Sequence, residues 1–185
     1  MTLRDAKLTI EDYQRFPDDG KRHEIIDGEH YVTPAPNLRH QAISRNLTIL
    51  IGSFLRDHPL GRLFAAPCDV YLSRFDVVEP DLLFVSSAKN DLLAANGIQG
   101  APDLVIEILS PGTRRTDERT KRDRYARFGV REYWIVDPEL ETIKVLQLGT
   151  AGYETPRELA LERADRISSP LLPGLELPLD QVFTD

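Results

Sequence analysis

Apolar positions along the chain fall into two helical stripes and a series of short strand-like runs. Leu8–Phe16 carries a weak helical pattern, with Thr9 as N-cap before Glu11 and Asp12, and Pro17, Asp18, Asp19 and Gly20 break it. Arg22–Ile26 and Glu29–Thr33 flank Asp27-Gly28, the dipeptide that suits a type I′ turn, so a β-hairpin is expected there. Pro34-Ala35-Pro36 should end it. Ile43, Leu47, Leu50, Ile51 and Phe54 repeat at helical spacing and predict a long helix over Leu38–Arg56, capped by Asn37 and stopped by His58-Pro59-Leu60-Gly61.

Leu63–Leu72 and Asp81–Val85 then read as strands, and Leu92–Ile98 as a short helix or turn. Asp103–Leu109 is almost wholly apolar and predicts a central strand buried on both faces, ended by Ser110-Pro111-Gly112. A second helix is expected over Thr116–Phe128. Thr116 would cap it, Asp117 and Glu118 suit the positive end of its dipole, and Gly129 suits its C-terminal turn. Glu132–Val136 and Thr142–Leu148 follow as strands of a meander, and the tail after Gly149 has no clear period. This order predicts an α/β domain on a mixed sheet with helices packed against it. No repeat or linker divides the sequence. One domain over residues 1–185 is expected, with a core over about 20–148 and a C-terminal extension over 149–185.

Composition narrows the setting. Apolar residues make up 41% and charged residues 29% of the 185, values ordinary for a folded domain. No apolar run is long enough to span a membrane, and Met1–Asp5 lacks the apolar core of a signal peptide. The single cysteine, Cys68, cannot form an internal disulfide, so a cytoplasmic setting is the expectation. A net charge of −7 argues against a general nucleic-acid binder. Between Thr113 and Arg131, however, Arg114, Arg115, Arg119, Lys121, Arg122, Arg124, Arg127 and Arg131 face only Asp117, Glu118 and Asp123. Such a segment can meet a phosphate backbone, or can be a solvated helix face with i,i+4 pairs.

Three residues stand out chemically. Glu107 interrupts the apolar run of the central strand, and a glutamate there needs a cation, an arginine partner or an exposed strand end. Asp81 opens the preceding strand, as a turn residue or as a second carboxylate beside Glu107. Lys121 lies four residues before Tyr125 and seven before Phe128, on the face that must look toward the sheet. It can snorkel outward along its stem or aim its ammonium group at carboxylates on the strand ends. Two carboxylates and a lysine at one sheet edge would suit phosphodiester hydrolysis. The carboxylates offer hard oxygen ligands to Mg²⁺, and the lysine is a point charge for the phosphate.

The segments Glu79-Pro80-Asp81, Gly100–Pro111, Lys121–Tyr125 and Gly129–Pro138 resemble the Uma-type putative restriction endonuclease family, placed in the PD-(D/E)xK nuclease superfamily. The hairpin Glu24–Glu29, the helix start around His40 and Leu171–Leu175 fit as well. The resemblance implies a restriction-endonuclease-like core, with Asp81 and Glu107 on neighbouring strands. It departs from the plain superfamily pattern at Leu109, which stands where a lysine would follow Glu107 by two residues, and it implies that Lys121 on the next helix takes that role. It further implies Mg²⁺ (with Mn²⁺ as substitute) at Asp81 and Glu107, with Glu24 as a further ligand, and DNA as the partner. Arg114, Arg115 and Arg119 are the expected backbone contacts, and by analogy a homodimer would cut both strands. His40 shares the inward stripe of the long helix with Ile43 and is a further candidate. Asp69 and Asp103 read as structural. Two other readings compete: a catalytically inactive nuclease fold serving as a nucleic-acid or protein interaction module, and a metal-dependent hydrolase of small phosphate substrates.

Overall fold

The computed structural model describes residues 7–33 and 35–184; Pro34, expected at the hairpin end, and the Met1–Asp5 segment lie outside them. A short helix α1 (Ile10–Tyr13) begins at Thr9, whose N–H and hydroxyl both donate to Asp12 at 2.9 Å. Strands β1 (Arg22–Ile26) and β2 (Glu29–Thr33) form the expected hairpin, with Asp27 and Gly28 both at positive φ, 54° and 81°. Helix α2 (Leu38–Asp57) begins at Asn37, whose side chain accepts the His40 N–H at 2.9 Å.

The next segment holds β3 (Gly61–Ala65), β4 (Val70–Ser73), β5 (Asp76–Val78) and β6 (Leu82–Ser86). Where a helix or turn was expected over Leu92–Ile98, a 3₁₀ segment (Ser87–Leu92) leads into a two-residue hairpin, β7 (Leu93–Ala94) and β8 (Gly97–Ile98). Gly97, at φ +130°, permits that turn, and Ile98 joins Val70 of β4. Strand β9 (Leu104–Ile108) follows, buried along its whole length.

The second helix departs from expectation at its start. Arg115 is already helical (φ −66°, ψ −39°), so Thr116 is not its cap. Residues Thr116–Lys121 form a π-type turn that continues into α3 (Arg122–Phe128), and Gly129 closes it in the left-handed conformation (φ 85°). Strands β10 (Glu132–Asp137) and β11 (Thr142–Gly149) complete the meander. The tail is ordered into β12 (Gly152–Tyr153), β13 (Arg157–Ala160), a hairpin of β14 (Arg166–Ser169) and β15 (Leu172–Pro178), and α4 (Leu179–Phe183).

The main sheet runs β12-β11-β10-β9-β6-β3, with β13 also on β11. It is mixed, because β9 and β10 are parallel while β9 and β6 are antiparallel. The second sheet runs β2-β1-β5-β4-β8-β7. Side-chain alternation divides β9 between two cores. Leu104, Ile106 and Ile108 pack with Ile43, Leu47 and Ile51 of α2 and with α4 and β15. Val105 and Leu109 pack on the other side with Tyr125 of α3 and with Ile26, Val70 and Val78 of the second sheet. Glu107, between Val105 and Leu109, must therefore face α3 and the second sheet. Among the described residues, no helix is long and apolar enough to cross a membrane.

Leu47 has no exposed surface and joins α2 to the main sheet. Leu47→Ala should lower the free energy of unfolding by about 2–5 kcal/mol through lost burial and a residual cavity. Urea denaturation reads this as a lower midpoint at unchanged slope. A loss below about 0.5 kcal/mol, the size of a surface substitution, would contradict this packing of α2.

Candidate active site

Asp81, Glu107 and Lys121 meet at one end of the main sheet, all three nearly inaccessible to solvent. Register explains the carboxylates. Leu82 is paired with Ile106 in the antiparallel β6–β9 ladder, so Asp81, one residue before Leu82, reaches the level of Glu107 and Ile108. Asp81 Oδ2 accepts the Ile108 N–H at 2.8 Å, which fixes the carboxylate against β9. Its other partners come from elsewhere: Arg22 of β1 donates to Oδ1 at 2.7 Å, and His40 of α2 lies 3.1 Å from Oδ2. Burial alone would raise the Asp81 pKa, but His40, Arg22 and the Ile108 amide bring it down to about 2.

Lys121 points inward from the π-type turn. Its Nζ lies 3.0 Å from Glu107 Oε1, 2.9 Å from Glu24 Oε1 and 3.5 Å from Asp117 Oδ1. Burial pulls its pKa down, but these three carboxylates raise it well above the ordinary lysine range, so it stays an ammonium ion. The Tyr125 hydroxyl, one turn further on, donates to Glu107 Oε1 at 2.8 Å. Glu24 is a buried residue of β1, and its Oε1 also accepts the Glu79 N–H at 2.9 Å.

Negative charge exceeds positive charge here. Five buried carboxylates (Glu24, Glu79, Asp81, Glu107 and Asp117) share the cations Arg22 and Lys121. Burial, opposed by Lys121 and reinforced by Asp117, Asp81 and Glu24, pushes Glu107 up to about 8. Burial also pushes Glu79 up to about 7 and raises Asp117. The cluster therefore holds protons that ordinary carboxylates would have lost, and a divalent cation would relieve the same imbalance. A cavity of about 280 Å³ lined by Asp81, Glu107, Asp117 and Lys121 opens onto it. Among the described residues, no three His, Cys, Asp or Glu side chains form a ready cage for a metal. Mg²⁺ does not require one, since it keeps several waters and takes only one or two carboxylates together with substrate phosphate. The donor set fits such an ion.

The other sequence candidates divide. Glu24 and His40 both reach the cluster. Arg114 does not project freely toward a ligand; its guanidinium is held by Asp137 and, at 3.1 Å, by Glu139. Arg115 and Arg119 are exposed. Asp69 accepts from the hydroxyls of Tyr13 and Tyr71, and Asp103 accepts the Ser86 N–H, both structural roles. Arg22, Tyr125, Glu79 and Asp117 were not expected at the site. Arg22 lies two residues before Glu24, on the same face of β1, and Tyr125 and Asp117 lie four residues either side of Lys121, so their spacing carried a signal once Glu24 and Lys121 were placed.

The family model described as Uma2, putative restriction endonuclease, matches residues 10–180. Among solved structures, a putative nuclease belonging to DUF820 from Anabaena variabilis ATCC 29413 is similar with a TM-score of 0.80, over 95% of this chain and 97% of that one, at 21% sequence identity. At that identity the likeness shows the fold. A comparison with curated proteins gives no match.

The raised Glu107 pKa has a consequence for stability. In the folded, metal-free protein Glu107 keeps its proton up to about pH 8, whereas an ordinary glutamate loses it near 4.5. Its stabilising contribution is therefore full below the ordinary value and is lost as the pH rises toward 8. Glu79 acts in the same direction up to about 7, whereas Asp81, lowered to about 2, contributes above its ordinary value and loses that contribution in acid. Urea denaturation in EDTA between about pH 5 and about pH 9 should show stability falling with pH, and Glu107→Gln should flatten the fall. An identical pH slope in the variant would contradict the burial of Glu107 as a proton-holding acid.

Proposed function

Since the chain belongs to the Uma2 family, described as putative restriction endonucleases, we propose that it is a divalent-metal-dependent endonuclease hydrolysing DNA phosphodiester bonds at Asp81, Glu107 and Lys121. The observation that carries this reading is the buried contact of Lys121 with Glu107 beside Asp81, in a cluster with more carboxylate than cation. Asp81 and Glu107 are the residues that would hold Mg²⁺, or Mn²⁺ in its place. When bound, the ion supplies a bound water of lowered pKa and charge stabilisation at the phosphate.

The chain's own residues do the rest. The Ile108 amide, Arg22 and His40 hold the Asp81 carboxylate in one orientation and keep it ionised. Tyr125 and Lys121 hold Glu107. The Lys121 ammonium, fixed by Glu24 and Glu107, is a preorganised positive charge beside the space where a phosphate would carry developing negative charge. Exposed Arg119, on the turn that carries Lys121, and exposed Arg115, just before it, are suited to neighbouring phosphates. We propose one domain in a cytoplasmic setting. A two-fold dimer would supply the second site needed to cut both strands of a duplex.

Calorimetric titration with Mn²⁺ tests the ligands. Asp81→Ala and Glu107→Ala should each abolish binding, and unchanged affinity in both would favour a catalytically inactive interaction module. Lys121→Ala separates binding from chemistry. It should retain most Mn²⁺ affinity while cleavage of plasmid DNA falls by about 10²–10³, the loss typical of one preorganised electrostatic contact. Cleavage at the parent rate would remove Lys121 from the mechanism.

A further inference from the structure

A second cavity, of about 620 Å³, opens beside the first. Gln41, Ser44, Arg45 and Thr48 of α2 form one wall, at the spacing of a single helix face. Ala35, Pro36, Ala66 and Pro67 add apolar surface to the lining, and the buried Glu79 completes it. Arg22, Thr33, His40 and Asp81 line both cavities, so this groove adjoins the carboxylates of the candidate active site.

The chemistry of the groove selects its occupant. Apolar walls with a few amide, hydroxyl and guanidinium groups suit a flat ring whose edges carry hydrogen-bonding atoms. Glu79 Oε1 is buried and, among the described residues, has no hydrogen-bond partner; Arg22 Nε stands 4.0 Å away. A buried acceptor of this kind calls for a donor. A carboxylate accepts from the exocyclic amino group of a nucleobase, as glutamate does from cytosine. A base paired and stacked inside a duplex has its hydrogen-bonding edge and its faces already occupied and cannot offer them to the groove, whereas an unpaired or extruded one can.

Resting on the nuclease reading of the neighbouring site, we propose that this groove takes one unpaired nucleobase of the substrate strand, adjacent to the phosphate at Asp81 and Glu107. Glu79 accepts a hydrogen bond from the amino group of cytosine or adenine. The substrate class is then single-stranded DNA, or duplex from which one nucleotide is extruded.

The test is fluorescence anisotropy with labelled oligo-dC, oligo-dT and a mixed-sequence strand, alone and as a duplex. It uses the full chain, with Ca²⁺ replacing Mg²⁺. The mixed single strand should bind more tightly than its duplex, and oligo-dC about tenfold more tightly than oligo-dT, the effect of one good base contact. Thr48→Trp, which fills the groove, should weaken single-strand binding about tenfold or more, the size of one base-stacking contact, while Mn²⁺ affinity by calorimetry stays unchanged. Gln41→Trp, at an exposed position on the same wall, serves if Thr48→Trp lowers the urea midpoint. Glu79→Gln should erase the preference for oligo-dC.

Single-strand affinity untouched by a groove-filling variant that folds and binds Mn²⁺ would overturn the proposal and leave the nuclease reading standing. Equal affinity for oligo-dC and oligo-dT would overturn the role of Glu79. Failure of the parent to bind any of these DNAs while Mn²⁺ binds at Asp81 and Glu107 would count against the nuclease reading itself, and the groove proposal would fall with it.

Discussion

A buried ammonium ion persists only where carboxylates meet it, and Lys121 meets three of them. Removing a charge from water costs several kcal/mol even after relaxation, and only close, well-placed counter-charges offset that. The three carboxylates come from different parts of the fold. Glu24 lies on β1, Glu107 on β9, and Asp117 on the π-type turn with Lys121 itself. One cation thus ties the second sheet, the main sheet and the helix that packs between them. Losing Lys121 would leave these buried carboxylates without their shared cation, so the fold and the candidate site are held by the same contacts.

The same arrangement accounts for the departure at Leu109. Side chains two apart on a strand share a face, and Leu109 uses that face to join Tyr125, Val130 and Tyr133 in a core. An amine there would sit among apolar side chains. The positive charge comes instead from the following helix, where the π-type turn carries Asp117 and Lys121 inward together. Such turns recur where a helix must aim a functional side chain. Negative charge remains in excess after Lys121 and Arg22 are placed, which shows as proton retention by Glu107 and Glu79 and matches the demand of a divalent ion.

Much of this was legible from local pattern. Asp27-Gly28 specified a hairpin because both positions need positive φ, and Asn37 marked the start of α2 by its cap. Lys121 could be found from helical spacing to Tyr125, and Glu107 from the cost of a charge inside an apolar run. Other features depend on contacts that sequence does not display. Arg22 and Glu24 reach the site only because the hairpin packs against β5, through the Ile25–Val77 pair. Strand β5 has three residues and left too short a period to see, and Leu92–Ile98, expected as a short helix or turn, pairs as a two-residue hairpin whose turn Gly97 permits. Arg114 stands in a run of basic residues, and its ion pair with Asp137, distant in the sequence, is a contact that local pattern does not display. The tail had no period because its hairpin and α4 are ordered by packing on α2.

Anomalous diffraction from a crystal soaked in Mn²⁺ tests the central claim, that the carboxylate excess at this sheet end is a cation site. The expected result is a single strong anomalous peak within coordination reach of the Asp81 and Glu107 carboxylates, with Lys121 beside it. Full Mn²⁺ occupancy elsewhere on the molecule, with no density between those two side chains, would contradict it.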